Sequence, residues 1–223
     1  MTIRVVLADD HPQTRQGVRA ALEGAPDIRV VGEAGDGAEA QELVAALRPD
    51  ILLLDLVMPG PSPADIERWV RTEYPETVTL ILTGHDRDAL LAEMERAGAV
   101  GFLTKDGDTP ALVEAIRRAA KGEVLYTSKQ LARARRWREE VGQRWESLTA
   151  REQEVALQIA AGKGNREIAE TLEIGAHTVE THVGNVLRKL DLASRTEVAV
   201  WLWKHGLVEE ACAPGGFPPE KDG

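Results

Sequence analysis

Three aspartates, a threonine and a lysine carry the chemistry that this sequence of 223 residues suggests: Asp9, Asp10, Asp55, Thr83 and Lys105. Carboxylates brought close together repel, and each raises the pKa of the others unless a cation neutralises them. A hard divalent ion with oxygen ligands, Mg2+, meets that need. A hydroxyl and an ammonium at the same rim suit phosphoryl transfer, with the metal and Lys105 neutralising phosphoryl oxygens while one aspartate attacks as nucleophile. Each landmark is weak alone, because an Asp-Asp pair after a strand is commonly a solvated turn. What matters is whether the fold brings them to one place.

The elements needed to do so are legible in the first half of the chain. Short β-branched runs at Ile3 to Leu7, Ile28 to Val31, Ile51 to Leu54, Val78 to Leu82 and Val100 to Leu103 predict strands. Amphipathic stretches near Pro12 to Glu23, Asp36 to Leu47, Pro63 to Tyr74, Arg87 to Ala97 and Thr109 to Lys121 predict the helices between them. Five successive βα units imply a parallel sheet covered on both faces, an α/β flavodoxin-like domain over residues 1 to 122. With strand order 2-1-3-4-5, ligands bind where the order reverses, beyond the carboxyl ends of strands 1 and 3. Asp9 and Asp10 follow strand 1 and Asp55 ends strand 3, while Thr83 and Lys105 follow strands 4 and 5. All five then meet in one crevice.

Composition sets limits on the alternatives. With 43% hydrophobic and 29% charged residues the chain reads as a soluble globular protein, not a collagen or a disordered polymer. No apolar run approaches the roughly 20 residues of a membrane helix, and Met1 to Arg4 lead into a strand, so a cytoplasmic protein without membrane contact is expected. The single cysteine, Cys212, permits no internal disulfide. The net charge of −10 is concentrated in residues 1 to 122, at −8, whereas residues 123 to 146 carry +2 and residues 147 to 208 carry −1. Two parts with different partners are implied.

Beyond Gly122 the strand signal stops. Residues 123 to 146 read as an arginine-rich helical linker with Ala134, Trp137, Val141, Trp145 and Leu148 on one stripe, which either packs on a neighbouring domain or forms a dimer seam. Residues 147 to 208 are wholly helical. Thr149 and Glu152 form a capping box, and Asn165 can cap a helix from Arg166 to Leu172. A tight turn then leads to a longer helix from Ala176 to Leu190, and a last helix runs from Ser194 to His205. This spacing suggests a helix-turn-helix, with Glu180, Thr181, Gly184, Asn185 and Arg188 facing outward on a thin polar face that fits a major groove. A four-helix bundle used only for protein contacts is the other possibility. The Pro/Gly-rich tail, residues 209 to 223, is expected to be disordered.

The motifs themselves are informative. Leu7-Ala8-Asp9-Asp10-His11, Leu54-Asp55-Leu56-Val57-Met58-Pro59-Gly60, Leu82-Thr83-Gly84-His85 and Gly98 through Asp106 closely resemble the receiver domain of bacterial two-component response regulators. Leu148 through Glu152, Asn165 through Leu172, Thr178 through Val183 and Arg188-Lys189-Leu190 resemble the four-helix DNA-binding domain of NarL/LuxR-type regulators. The first resemblance implies Asp55 as phosphoacceptor, with Mg2+ held by Asp10, Asp55 and the Val57 carbonyl and by Asp9 through water. It further implies Thr83 and Phe102 as a switch pair, Lys105 as the phosphate-binding cation and a sensor histidine kinase as phosphodonor. The second implies a recognition helix at Ala176 to Leu190 and a homodimer through the last helix. Two departures stand out. Pro61 and Pro63 stiffen the loop beside Asp55, and His177, Glu180 and Gly184 stand where the family frequently carries lysine.

These features predict a phosphorylation-controlled transcription factor that binds double-stranded promoter DNA and catalyses only its own phosphorylation and slow dephosphorylation. Lys163, Asn165, Arg166, His177, Thr178, Glu180, Thr181, His182, Asn185, Arg188 and Lys189 are the candidate DNA contacts. Glu180 can accept from cytosine N4 but is repelled by phosphate. Because the domain is nearly neutral, binding should depend on dimerisation and on salt. Two competitors remain at this point: a hydrolase with an aspartyl-phosphate intermediate, which would need a further acid or base near Asp55, and an adaptor whose helical domain binds protein.

Overall fold

The computed structural model describes residues 2–208; the tail from residue 209 onward, with Cys212, lies outside the described residues. The chain divides into two compact units, Met1–Ala134 and Arg135–Gly223. Among the described residues, no helix is long and apolar enough to cross a membrane.

Unit 1 alternates strand and helix: β1 (Ile3–Ala8), α1 (Pro12–Glu23), β2 (Ile28–Ala34), α2 (Gly37–Leu47), β3 (Ile51–Leu54), α3 (Pro63–Glu73), β4 (Val78–Thr83), α4 (Asp88–Ala97), β5 (Gly101–Thr104) and α5 (Thr109–Ala119). The strands form one parallel sheet in the order β2-β1-β3-β4-β5. Every side chain of Ile51 to Leu54 is fully buried, as a central strand covered on both faces requires. Alternation sends Ile51 and Leu53 to the face that packs on Leu22, Val113 and Ile116, and Leu52 and Leu54 to the other. At about 2 kcal/mol for each large apolar side chain removed from water, this strand is the anchor of the domain.

Local chemistry sets the ends of the helices. Asp36, Ser62 and Asp108 cap α2, α3 and α5 by accepting from the backbone N–H of Glu39, Asp65 and Ala111. Pro63 occupies the first turn of α3, where its fixed φ is suitable and its missing N–H leaves no bond unmade. The proline that departs from the family pattern thus starts a helix. β2 runs on to Ala34, past the apolar stretch that signalled it, because Gly32 and Glu33 keep pairing with β1 beyond a bulge at Val5/Val6.

After α5 the chain returns to the edge of β5. Leu125 N–H donates to the Val100 carbonyl at 2.6 Å, and a Cβ on Gly101 would meet the Leu125 Cβ at 2.9 Å, so only glycine admits this approach. α6 (Ser128–Trp137) follows. Gln130 Nε2 donates to the Phe102 carbonyl at 2.8 Å, and Arg133 spans Asp88 at 2.6 Å, the first residue of α4, and Asp86 at 3.0 Å in the loop before it.

Unit 2 begins within α6. A π turn, Arg138–Gly142, leads into α7 (Gln143–Glu146), followed by α8 (Ala150–Ala160), α9 (Asn165–Thr171), α10 (Ala176–Leu190) and α11 (Arg195–Lys204). Val141 and Leu148 join Val155, Ile168, Val179, Val186, Leu190, Val198 and Leu202 in one core, with Trp137 and Trp145 packed against it. The stripe from Trp137 to Leu148 is therefore core packing of this unit. Gly142 lies where a Cβ would meet the Trp137 ring at 3.1 Å, and Trp137 Nε1 donates to the His205 carbonyl at 3.2 Å.

Candidate functional site

The pocket of unit 1 is built by strand ends. Asp9 follows β1 and is held by its N–H to the Ala34 carbonyl at 3.1 Å; Asp55 follows β3 and its N–H donates to the Ala8 carbonyl at 2.9 Å. Both carboxylates are buried, at 1% and 3% exposure. Lys105, fixed by its N–H to the Thr83 carbonyl at 2.9 Å, places Nζ 2.6 Å from Asp9 Oδ2 and 2.6 Å from Asp55 Oδ2. Burial works against its ammonium, but the hydrogen bonds to Asp55 and Asp9 outweigh that and raise its pKa. Lys105 is a permanent cation in this setting. The structure thus brings Asp9, Asp55 and Lys105 into direct contact, from strands that lie far apart in sequence.

Asp10 is half-buried beside them. Its Oδ1 is inaccessible to solvent and lies 2.5 Å from His11 Nδ1, within ion-pair distance. Asp9, Asp10, Asp55 and His11 each offer a ligand atom within 4.8 Å of the others. Three carboxylates facing one ammonium leave negative charge over. That donor set fits a hard divalent cation. His11 was not singled out by the sequence reading, although a metal-ligand residue directly after an Asp-Asp pair is a signal that can be read.

Thr83 is fully buried at the end of β4, and its Oγ1 accepts from His85 N–H at 3.1 Å. Phe102 is 2% exposed, a core side chain of β5 whose carbonyl holds Gln130. Val57 is half-buried in the loop after Asp55, and Leu56 N–H donates to Asp55 Oδ1 at 2.7 Å.

In unit 2, α9 and α10 are joined by Leu172 to Gly175, where Glu173 takes the left-handed conformation at φ 54°. The Ile174 N–H closes back on the Ala169 carbonyl at 3.0 Å. α10 buries Val179, Val186 and Leu190 and leaves His177, Thr178, Glu180, Thr181, Gly184 and Arg188 exposed, with His182 and Asn185 half-buried. His177 Nδ1 lies 3.4 Å from Glu180 Oε2, and Arg188 donates to Asn185 Oδ1 at 3.3 Å. Arg166 is exposed on α9. Asn165 is the first residue of α9 and does not cap it; Gly164 takes the cap position because Glu167 Oε2 accepts its N–H at 2.7 Å. Asn165 Oδ1 instead accepts from Arg195 at 3.3 Å. Lys163 Nζ donates to Thr171 Oγ1 at 3.1 Å.

Residues 5–117 match the response regulator receiver domain, and residues 146–202 match the bacterial regulatory proteins of the luxR family. The transcriptional regulatory protein LiaR of Bacillus subtilis (strain 168) is 40% identical over 209 residues, which cover 92% of this chain and 99% of LiaR. The chain belongs to the two-component response regulators with a LuxR-family C-terminal domain. Solved members share both units. The response regulator ChrA of a heme-sensing two-component system is 32% identical, with a TM-score of 0.54 over 93% of this chain and 99% of ChrA. A complex of the response regulator RcsB with DNA is 25% identical, with a TM-score of 0.58 over 91% of this chain and 98% of RcsB. The likeness to LiaR and the luxR-family match favour a DNA-binding transcriptional regulator over a protein-binding adaptor.

In this regulator one lysine of the helical unit has an internal task. Lys189 Nζ donates to Glu152 Oε2 at 2.6 Å and to the Ser147 carbonyl at 3.0 Å, and the same Glu152 oxygen accepts Thr149 N–H at 2.8 Å in the capping box of α8. Burial alone would raise the Glu152 pKa, but the bonds from Lys189 and Thr149 prevail and hold it below the usual carboxylate range. Glu152→Ala should cost unit 2 about 2 kcal/mol, read as a lower midpoint in urea unfolding. A depressed carboxylate stabilises the fold above its unfolded pKa of about 4.3. The stabilisation fades as pH falls through the lower folded value, so wild type and variant should converge in strong acid.

Proposed function

We propose that this regulator takes a phosphoryl group on Asp55 from a sensor histidine kinase and thereby controls how its helical unit binds promoter DNA. The observation that carries the reading is the Lys105 ammonium shared at 2.6 Å by Asp9 and Asp55, at the point of the sheet where strand order reverses. An Asp55 oxygen attacks phosphorus, the P–N bond to the kinase histidine breaks, and the imidazole keeps the electron pair and takes a proton. Lys105 is placed to neutralise phosphoryl oxygens. Mg2+, held by Asp10, Asp55 and the Val57 carbonyl and by Asp9 through water, would supply further neutralisation of phosphoryl charge. The only reaction assigned to the chain is its own phosphorylation and dephosphorylation.

Thr83, buried at the same rim, is the group to sense the new charge, and Phe102 on the adjoining strand is the side chain to follow it. Phosphorylation then favours a homodimer and exposes the recognition helix, a shift between populations. α10 enters the major groove with Thr178, Glu180, Thr181, His182 and Asn185 toward the bases, while Arg166, Arg188, Lys163, Asn165 and His177 serve the phosphates and the rim. The protein of known DNA-bound structure that it resembles supports this target, and DNA as target implies work in the cytoplasm. Selection of genomic fragments by the phosphorylated protein at low salt tests the reading. Fragments sharing paired half-sites about 10 base pairs apart are expected; a phosphorylated dimer that retains no fragment would favour an adaptor.

A further inference from the structure

We propose that Arg133 and Gln130 on α6 are positioning residues of the phosphorylation switch, which clasp the loop after Thr83 and the backbone of Phe102 in the unphosphorylated arrangement. This rests on the reading of Asp55 as phosphoacceptor. The clasp and the phosphoryl group then oppose each other.

β5 is an edge strand of the sheet, so carbonyls on its outer side need partners from elsewhere. The chain beyond α5 supplies them. Leu125 N–H reaches the Val100 carbonyl, just before the strand, at 2.6 Å, and Gln130 Nε2 reaches the Phe102 carbonyl at 2.8 Å. The other end of the Gln130 amide is used as well: Oε1 accepts from Thr127 N–H at 2.9 Å, while Thr127 Oγ1 accepts from Gln130 N–H at 3.2 Å. One side chain therefore starts α6 and seats it on the strand that carries Phe102.

Arg133, one helical turn further on, reaches the other half of the switch. Its guanidinium donates to Asp88 Oδ1 at 2.6 Å, to Asp86 Oδ2 at 3.0 Å and to the Asp86 carbonyl at 3.2 Å. A planar fork of donors can hold three acceptors in fixed directions, which a single ammonium cannot. Only 20% of this side chain is exposed, so its ion pairs are less screened than ordinary surface pairs. They hold the segment that follows Thr83, whose Oγ1 accepts from His85 N–H at 3.1 Å. If the Thr83 hydroxyl moves toward a phosphoryl group on Asp55, either that bond is lost or residues 84 to 88 follow. Arg133 resists the second course. Gln130 holds the Phe102 backbone at the same time, so α6 grips the surroundings of both members of the switch pair. Coupling of this kind is reciprocal: the factor by which a phosphoryl mimic loosens the clasp is the factor by which the clasp weakens the mimic.

The test is amide hydrogen exchange of the full chain with Mg2+, with and without beryllofluoride, a noncovalent mimic of the phosphoryl group. Its affinity is read from the protection it gives residues 55 to 60. In wild type, residues 130 to 134 should exchange roughly tenfold faster once the mimic is bound. Arg133→Ala should exchange fast there from the outset and bind the mimic about fivefold or more tightly, with Arg133→Lys in between. Gln130→Glu keeps the bond from Thr127 but cannot donate to Phe102, and it should shift in the same direction. Unchanged exchange at residues 130 to 134 in wild type with the mimic bound overturns the proposal and leaves the Asp55 reading standing. So does a lower melting temperature in Arg133→Ala and Gln130→Glu with no gain in affinity, since both residues would then only support the fold. Wild type that does not bind beryllofluoride removes the Asp55 reading and this proposal together.

Discussion

Asp55→Asn is expected to abolish phosphoryl uptake while leaving the fold intact. The amide has the shape of the carboxylate but not its charge or nucleophilicity, and Asp55 is held by its backbone N–H to the Ala8 carbonyl and by its Oδ1, which accepts from Leu56 N–H. Loss of the attacking group should slow the reaction on the order of 10³-fold or more. Lys105 keeps its contact with Asp9, so the pocket stays closed around one ion pair. Mass spectrometry of protein incubated with acetyl phosphate and Mg2+ reads the result: one phosphoryl increment on wild type and none on the variant. Equal incorporation in both would move the phosphoacceptor away from Asp55.

The second large effect concerns Glu67, which the pocket does not use. It sits on the inner face of α3 at 4% exposure, and its Oε2 has no hydrogen-bond partner among the described residues. Burial pushes its pKa up to about 7, with the Thr79 hydroxyl and the Arg71 guanidinium pulling the other way without overcoming it. A carboxyl raised in the folded state stabilises most when protonated, below its unfolded pKa. That advantage is lost as pH rises from about 4.3 toward 7, and by pH 8 the loss amounts to about 3 kcal/mol. Glu67→Gln keeps the shape and removes the titration. The variant should melt several degrees higher than wild type at pH 8 and close to it at pH 5. Parallel pH profiles for the two proteins would show that Glu67 is solvated.

The α/β architecture could be read from the sequence because its signal is local. Ile51 to Leu54 can be little else than a central strand, and the Asp36, Ser62 and Asp108 caps sit just ahead of amphipathic stretches. The strand ends then placed Asp9, Asp55 and Lys105 together. Partnerships formed by side chains distant in sequence were not readable. Arg133 meets Asp86 and Asp88 across 45 residues or more, which assigns the start of α6 to unit 1, whereas Trp137 and Val141 belong to the core of unit 2. An arginine-rich helical pattern carries no mark of such a division. Lys189 likewise looks like a phosphate contact in sequence, and only the fold reveals Glu152 beneath it. Asn165 is a good cap by type, yet a glutamate three residues after Gly164 makes a side-chain cap unnecessary.

The most direct test is the affinity of one selected DNA fragment for wild type with and without phosphodonor and Mg2+, set beside Asp55→Asn in the same buffers. Phosphorylated wild type should bind roughly tenfold or more tightly than the untreated protein, with an affinity that falls steeply as salt rises, and the variant should not respond to the donor. Unchanged affinity of wild type on phosphorylation, or an equal gain in the variant, would contradict control of the helical unit through the Asp55 pocket.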